Sequence, residues 1–332
     1  MHLSLPALQA AVGALQQISE VTPGERGKRA AVVALVLRTV EGVAACQDNA
    51  EFLSRRALGE IEQLEKGQER SILRRVLLLA SAGETSGLGD LLGDYAAALE
   101  EARRLPEADA VVTLARDLDP TRADMALRAG RIARLLGDRE RALELYGTAR
   151  ALDSGDGAMA RLAAIGEAVV ANRPERALSL VLRLAIVADD VEAAAVALEE
   201  RGRVRRAGGN RTGAARDFAF AAARFADAVD RARVAHLLAD LFVASDDPEA
   251  AREALLFALE VGDRSQKDHA RARLHTVSRD LGDQIGMRRW RSFQRPTLVS
   301  LSSRPNVTLS KSAAPAVARW LKRVEALAGG LS

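Results

Sequence analysis

The feature that most constrains this chain is a unit that recurs along it at a nearly constant spacing. Each copy consists of a tight turn, an acidic helix start and an alanine. The aligned alanines lie 34, 35, 37 and 37 residues apart, at Ala108, Ala142, Ala177, Ala214 and Ala251. A period of this length accommodates two helices and a turn, and neighbouring units must stack to bury their apolar faces. The repeat therefore predicts an array of helical hairpins.

The unit at residues 123–156 shows how its two helices are expected to meet. The small residues of its predicted first helix are Ala126, Ala129, Gly130 and Ala133. The residues that face them on the second helix are Ala142, Tyr146 and Ala149. A later unit carries Gly202, Ala214, Phe218 and Ala221 at the matching places. Because the facing side chains are short, two helix backbones can approach closely while an aromatic ring fills the remaining space. With aromatic residues at only 3% of the chain, a sheet is disfavoured.

This pattern, together with the ending Leu118-Asp119-Pro120 of the preceding unit, resembles the tetratricopeptide repeat. The resemblance covers roughly residues 89–265. Ala126 and Ala133 depart from it, since they stand where the family usually has a tryptophan and a tyrosine. The resemblance implies an all-α fold, a right-handed superhelical solenoid of helix-turn-helix repeats with a concave groove. It also implies a non-catalytic scaffold that binds protein segments and assembles a complex.

Charge and composition divide the chain into three expected regions. Residues 1–88 are an N-terminal helical segment, with or without divergent repeats, 89–285 are the repeat array, and 286–332 are a basic C-terminal tail. The tail holds nine Arg or Lys and one acidic residue, whereas the other 285 residues hold 39 bases and 44 acids. No uncharged apolar stretch is long enough to cross a bilayer, and the first arginine is Arg26. We therefore expect a cytoplasmic protein.

Motifs that would indicate catalysis or a cofactor are weak. Gly87-Leu88-Gly89 lacks the spacing of a phosphate-binding loop, and no strand precedes it. His269 and His275 are six residues apart, which is the wrong spacing for two metal ligands on one helical face. Cys46 lies late in an apolar helix and is expected to be buried. We expect no enzyme activity, no cofactor and no metal.

The resemblance assigns the groove to the first helix of each repeat. By position it nominates a partner-binding set: Arg128, Arg131, Arg134, Glu199, Arg203, Arg206, Arg233, His236 and Asp240. The three arginines at 128, 131 and 134 form a stripe that could hold carboxylates in bidentate pairs. The alternative is that these side chains form an ordinary solvated face.

Local signals also predict features at the two ends of the chain. Thr22 and Glu25 read as the capping box of a helix that runs to about Cys46. In the tail, Trp290 lies in a basic, aromatic stretch. Residues 297–301 and 307–310 alternate in polarity, which is compatible with a hairpin, a lone strand or a flexible linker. A terminal helix after Ser312 would carry Trp320 on an apolar stripe. Trp290 and Trp320 complete the predicted partner-binding set.

Three roles remain open for the terminal helix. It could cap the last repeat, dock on a partner or on the array itself, or contact nucleic acid or an anionic membrane through its basic residues. The leading functional hypothesis is the scaffold that the repeats imply. The alternative is a regulatory protein that contacts nucleic acid or membrane through the tail.

Overall fold

A computed structural model describes residues 4–65, 67–82, 87–153 and 157–291, and these residues form sixteen helices. The described part of the chain contains no strand. Its helices are also too short or too polar to cross a membrane. The predicted all-α fold of helical hairpins is therefore confirmed, while the handedness of a superhelix stays a prediction. The chain divides into two compact units, Met1–Val170 and Ala171–Ser332, and the three regions expected from the sequence also remain predictions.

Unit 1 contains nine of the described helices. They are α1 (Leu5–Val21), α2 (Glu25–Ala44), α3 (Ala50–Gln63), α4 (Gln68–Ser81), α5 (Leu88–Glu101), α6 (Leu105–Leu118), α7 (Ala123–Leu136), α8 (Arg139–Leu152) and α9 (Ala158–Val170). The pairs α1–α2, α5–α6 and α7–α8 are hairpins with extensive contact. Helix α1 also packs against α6, so the N-terminal helix contacts a helix that lies in the middle of the unit's sequence.

Unit 2 contains the other seven described helices. They are α10 (Pro174–Val187), α11 (Val191–Ala207), α12 (Arg211–Arg224), α13 (Ala228–Val243), α14 (Pro248–Val261), α15 (Arg264–Asp280) and α16 (Gln284–Arg291). Hairpins α11–α12, α13–α14 and α15–α16 follow one another along the chain, and α13 also contacts α15. We call α11, α13 and α15 the first helices of these hairpins.

The helices pack closely at the positions where the sequence predicted small residues. Four of the five aligned alanines are fully buried, and Ala177 is half-buried. A Cβ atom added to Gly130 would lie 2.7 Å from the Tyr146 ring, and one added to Gly202 would lie 2.7 Å from Phe218. Glycine is therefore needed at these two positions, because an aromatic ring of the next helix occupies the space that a side chain would take.

Two local predictions near the N-terminus are wrong. Thr22 does not cap α2, because α1 extends to Val21 and α2 begins at Glu25 after Gly24, whose φ is 79°. Cys46 is exposed, not buried. Its φ of 51° places it in the left-handed turn that ends α2, where the chain leaves the apolar face of the helix.

Candidate functional site

The first helices of unit 2 carry a continuous set of polar side chains, which we call the unit 2 ladder. Its members are Glu199, Arg203 and Arg206 on α11, Arg233, His236 and Asp240 on α13, and His269 and Arg273 on α15. Six of these eight residues are in the partner-binding set predicted from the sequence. His269 and Arg273 were missed as members of that set, because their place beside α13 depends on the packing of two helices.

Glu199 is the centre of the α11–α13 part of the ladder. Its side chain is 5% exposed, and its Oε1 atom accepts from Arg203 Nη2 at 2.7 Å and also from Arg233 Nη1. Arg233 in addition pairs with Asp230 at 2.7 Å and lies over the Phe225 ring. Burial alone would lower the pKa of Arg233, but the Glu199 carboxylate outweighs it and raises that pKa. The Arg233 guanidinium is thus charged, and Glu199 holds the guanidinium groups of both Arg203 and Arg233 in position.

The two arginines of this cluster remain open to solvent. The Arg203 side chain is 44% exposed and that of Arg233 is 39% exposed. Arg206 is exposed one turn further along α11, and in the described part of the chain it makes no ion pair. The α11–α13 part of the ladder therefore presents three cations, of which Arg203 and Arg233 are held by the buried Glu199 carboxylate.

His236 joins α13 to α15. Its Nε2 atom donates to the backbone oxygen of Gln266 at 3.3 Å, and its Nδ1 atom faces Arg273 Nη1 at 3.5 Å. The His269 ring meets it edge to face, with 4.9 Å between ring centroids. Burial, His269 and Arg273 together lower the pKa of His236 to about 4. The imidazole is therefore neutral at physiological pH, while Arg273 pairs with Asp240 beside it.

The predicted arginine stripe of unit 1 lies on α7 and faces α5. Arg131 Nε is 2.6 Å from Glu100 Oε1, and Arg128 Nη1 is 3.7 Å from Glu100 Oε2. Burial lowers the pKa of Arg128, and the neighbouring Arg131 lowers it further. Arg134 is half-buried. Two of the three stripe arginines thus share one carboxylate, which reduces the charge that they offer to a partner.

Two buried charged clusters were not found from the sequence. In unit 2, Asp217 of α12 accepts from Arg201 at 2.7 Å and from Arg205 at 3.0 Å. In unit 1, Glu107 of α6 is buried and accepts from Arg104 at 2.8 Å and from Arg26 at 3.3 Å. The Glu107 and Asp217 side chains are at most 2% exposed, so neither carboxylate is open to a ligand. No sequence motif marks them, because Asp217 pairs with arginines of the preceding helix α11 and Glu107 pairs with Arg26 of the distant helix α2.

The two tryptophans of the predicted set have different outcomes. Trp290 lies in α16 and is 7% exposed, so its ring belongs to the packing of the last described hairpin. Trp320, the predicted terminal helix and the two predicted short strands lie outside the described residues. Within the described residues, no group of His, Cys, Asp and Glu side chains could hold a metal ion.

Comparisons with known proteins do not assign this chain to a family. No family model matches the chain, and no curated protein matches it. The chain aligns with a crystal structure of the APC/C hetero-tetramer Cut9–Hcn1 at 10% identity, over 96% of this chain and 68% of that chain, with a TM-score of 0.44. It aligns with BtubC from P. vanneervenii at 15% identity, over 93% and 97% of the two chains, with a TM-score of 0.22. These similarities are too low to assign a function.

Proposed function

We propose that this protein is a scaffold that binds an acidic, extended segment of a partner protein along the unit 2 ladder. The observation that carries the proposal is the continuity of the ladder across three first helices. Glu199 and Arg233 link α11 to α13, and the contacts of Arg273 with His236 and Asp240 link α13 to α15. A surface of this kind suits a ligand that crosses several helices, because each helix contributes its own polar contacts.

The charge and rigidity of the ladder favour an acidic ligand. Arg203, Arg206 and Arg233 are cations that reach solvent. Guanidinium groups hold carboxylates in bidentate pairs, and charged hydrogen bonds are stronger than neutral ones. Arg203 and Arg233 are already ordered by Glu199, so binding restricts them less than it would restrict free side chains.

The arginine stripe of unit 1 supports the same chemistry with less charge. Glu100 is 12% exposed and lies beside Arg128 and Arg131. We therefore assign the stripe a secondary contribution to binding. Neutralising it is expected to weaken binding of an acidic segment less than neutralising the unit 2 ladder does.

The test is a selection of displayed peptides with the full-length chain, followed by affinity measurements with variants. We expect the selected peptides to be enriched in Asp and Glu. The variant Arg203→Gln/Arg206→Gln is expected to bind them at least about tenfold more weakly, since it removes two charge-assisted contacts. The matched control is Arg176→Gln/Arg183→Gln, which removes two exposed arginines of α10 that make no ion pair in the described part. Equal losses in both variants, or no acidic enrichment, would contradict the proposal.

A deletion of residues 292–332 separates this proposal from binding through the basic tail. The ladder lies within the residues that the deletion retains, so binding of the selected peptides should persist. If binding vanished with the tail and fell steeply with salt, the tail would be the binding element and the ladder assignment would be wrong.

A further inference from the structure

Unit 1 contains a polar pocket that has no part in the ladder. It has a volume of about 470 Å³ and lies among α1, α2 and the start of α3. The side chains around it are mostly polar: Gln9, Val12, Gly13, Gln16, Arg38, Glu41, Gln47, Asn49 and Leu53. Ligand pockets usually measure about 300–1,000 Å³ and are mainly apolar. This pocket has the volume of a ligand site, and its lining is more polar than usual. It opens to solvent, since Gln9, Gly13, Arg38, Gln47 and Asn49 are exposed.

The fold explains why the pocket is open and why its polar groups converge. Gln9, Gly13 and Gln16 lie on one face of α1, and a Cβ atom added to Gly13 would meet nothing within 4 Å. On the opposite side, the left-handed residue Cys46 ends α2 and turns the chain back. The turn is held by a hydrogen bond from the Gln47 N–H to the Gly42 carbonyl, at 2.9 Å. Gln47 and Asn49 are thereby brought to the edge of the pocket.

Two opposite charges line the pocket without pairing with each other. Arg38 and Glu41 are three residues apart on α2, a spacing that places side chains side by side at about 5–6 Å between Cβ atoms. In the described part of the chain neither forms an ion pair. Glu41 Oε1 accepts from Gln9 Nε2 at 2.8 Å, and its second oxygen has no donor among the described residues. A cation and an anion are therefore both available at the same opening.

Three amide side chains at the pocket are also without internal partners. Among the described residues, the side chains of Gln16, Gln47 and Asn49 accept or donate no hydrogen bond. Asn49 stands at the N-cap of α3 and yet makes no capping hydrogen bond with its side chain. Since an amide group both donates and accepts, the three residues can contact either kind of polar group on a ligand.

We propose that this pocket binds a zwitterionic ligand of the amino-acid type, with its carboxylate at Arg38 and its ammonium group at Glu41. The guanidinium supplies donors for the carboxylate, and the free oxygen of Glu41 accepts from the ammonium group. The amides of Gln16, Gln47 and Asn49 contact the remaining polar atoms. A free polar amino acid and a short peptide carry this same pair of charges. The site is independent of the acidic-segment binding assigned to unit 2.

The first experiment measures the melting temperature of the full-length chain with single amino acids. The probes are L-asparagine, L-glutamine, L-serine, L-arginine and L-glutamate, with glycyl-L-glutamine as the short peptide. A probe that binds the folded state raises the melting temperature in a concentration-dependent manner. A larger shift with the dipeptide identifies a short peptide as the ligand, and a larger shift with an amino acid identifies the free amino acid. If no probe shifts the melting temperature, the proposal is wrong.

The second experiment assigns each charge of the best probe by calorimetric titration. Its N-acetylated form lacks the ammonium group and its amide form lacks the carboxylate, so each should bind at least about tenfold more weakly. Arg38→Ala should remove the preference over the amide form, and Glu41→Gln should remove the preference over the acetylated form. Equal binding of blocked and free forms, or preferences that survive both variants, would overturn the assignment.

A third pair of variants tests the place of binding without altering charge. Gly13→Leu fills the open space of the pocket, and leucine is a better helix former than glycine, so the chain should stay folded. It is expected to abolish binding of the best probe. Gly59→Leu is the matched control, because Gly59 lies on α3 with nothing within 4 Å and does not line the pocket. Binding that survives Gly13→Leu would contradict the proposed site.

Discussion

Glu107 of unit 1 and Glu199 of unit 2 are two buried carboxylates with the same kind of partners and different surroundings. Each accepts hydrogen bonds from two arginines. Of the two arginines beside Glu107, Arg104 is only 10% exposed and Arg26 is 45% exposed. Both arginines beside Glu199 are exposed, Arg203 by 44% and Arg233 by 39%. The comparison shows that a carboxylate paired with two arginines can either join helices inside a unit or hold both arginines at the surface.

The Glu107 cluster joins helices that are distant in sequence. Arg26 comes from α2, and Arg104 also pairs with Glu69 of α4, which accepts from the Tyr95 hydroxyl of α5 at 2.7 Å. Burial, followed by the Glu69 charge, raises the pKa of Tyr95, so the phenol stays protonated and donates. Burial would lower the pKa of Arg104, but its hydrogen bond to Glu107 raises it. This cluster therefore stabilises the unit and is not expected to bind a partner.

The largest expected effect comes from Glu107→Gln. The substitution keeps the shape of the side chain and leaves the buried Arg104 with less negative charge, so unfolding should become easier by about 3 kcal/mol. Urea denaturation followed by circular dichroism measures this change. A loss below about 1 kcal/mol would mean that the cluster is no more important than a surface ion pair.

The second effect is a dependence of stability on pH at His236. Its pKa is about 4 in the folded chain and about 6.5 when unfolded, so the unfolded state binds more protons between these values. The contribution of His236 to the free energy of unfolding should be fully present above pH 6.5 and should be lost as the pH drops toward 4. Allowing for solvent near this half-buried ring, the loss is about 2 kcal/mol. Denaturation of the wild type and of His236→Gln at pH 7 and pH 4.5 measures it, and parallel losses in the two proteins would remove His236 as the cause.

A smaller effect is expected for Glu199→Gln, the counterpart of Glu107→Gln. Because Arg203 and Arg233 can turn toward water when the carboxylate is neutralised, the free energy of unfolding should fall by only about 1 kcal/mol. The same urea experiment applies to both variants. A loss equal to that of Glu107→Gln would erase the distinction between the two clusters.

The smallest effect on stability is expected for Arg203→Gln/Arg206→Gln. Both side chains reach solvent, so the free energy of unfolding should change by less than about 0.5 kcal/mol. The same variant should lose most of its affinity for an acidic segment. A large drop in the melting temperature of this variant would show that the two arginines are structural, and any loss of binding would then have no bearing on the ladder.

The sequence predicted those parts of the fold that depend on local spacing. Gly130 with Tyr146 and Gly202 with Phe218 were placed correctly, because the close crossing of two helices is encoded by small residues at a fixed period. The exposure of Cys46 was missed, since a helical pattern does not show where a left-handed turn ends the helix.

The site was predictable only in part, for a related reason. A repeat register places Glu199, Arg233 and Asp240 on first helices, but it cannot show that Glu199 is buried between two arginines. The partners of Glu107 are equally hidden, since Arg26 lies 81 residues away from it in the sequence. Contacts of this range depend on how helices stack, which local periodicity does not determine.

The most direct test of the central claim is site-specific photocrosslinking of a selected acidic peptide. A benzophenone side chain at Leu237 would stand on α13 between Arg233 and Asp240, and one at Leu256 would stand on the exposed side of α14. Binding along the unit 2 ladder should give a peptide adduct from position 237 and none above background from position 256. An adduct from position 256 alone, or equal adducts from both positions, would contradict binding along the unit 2 ladder.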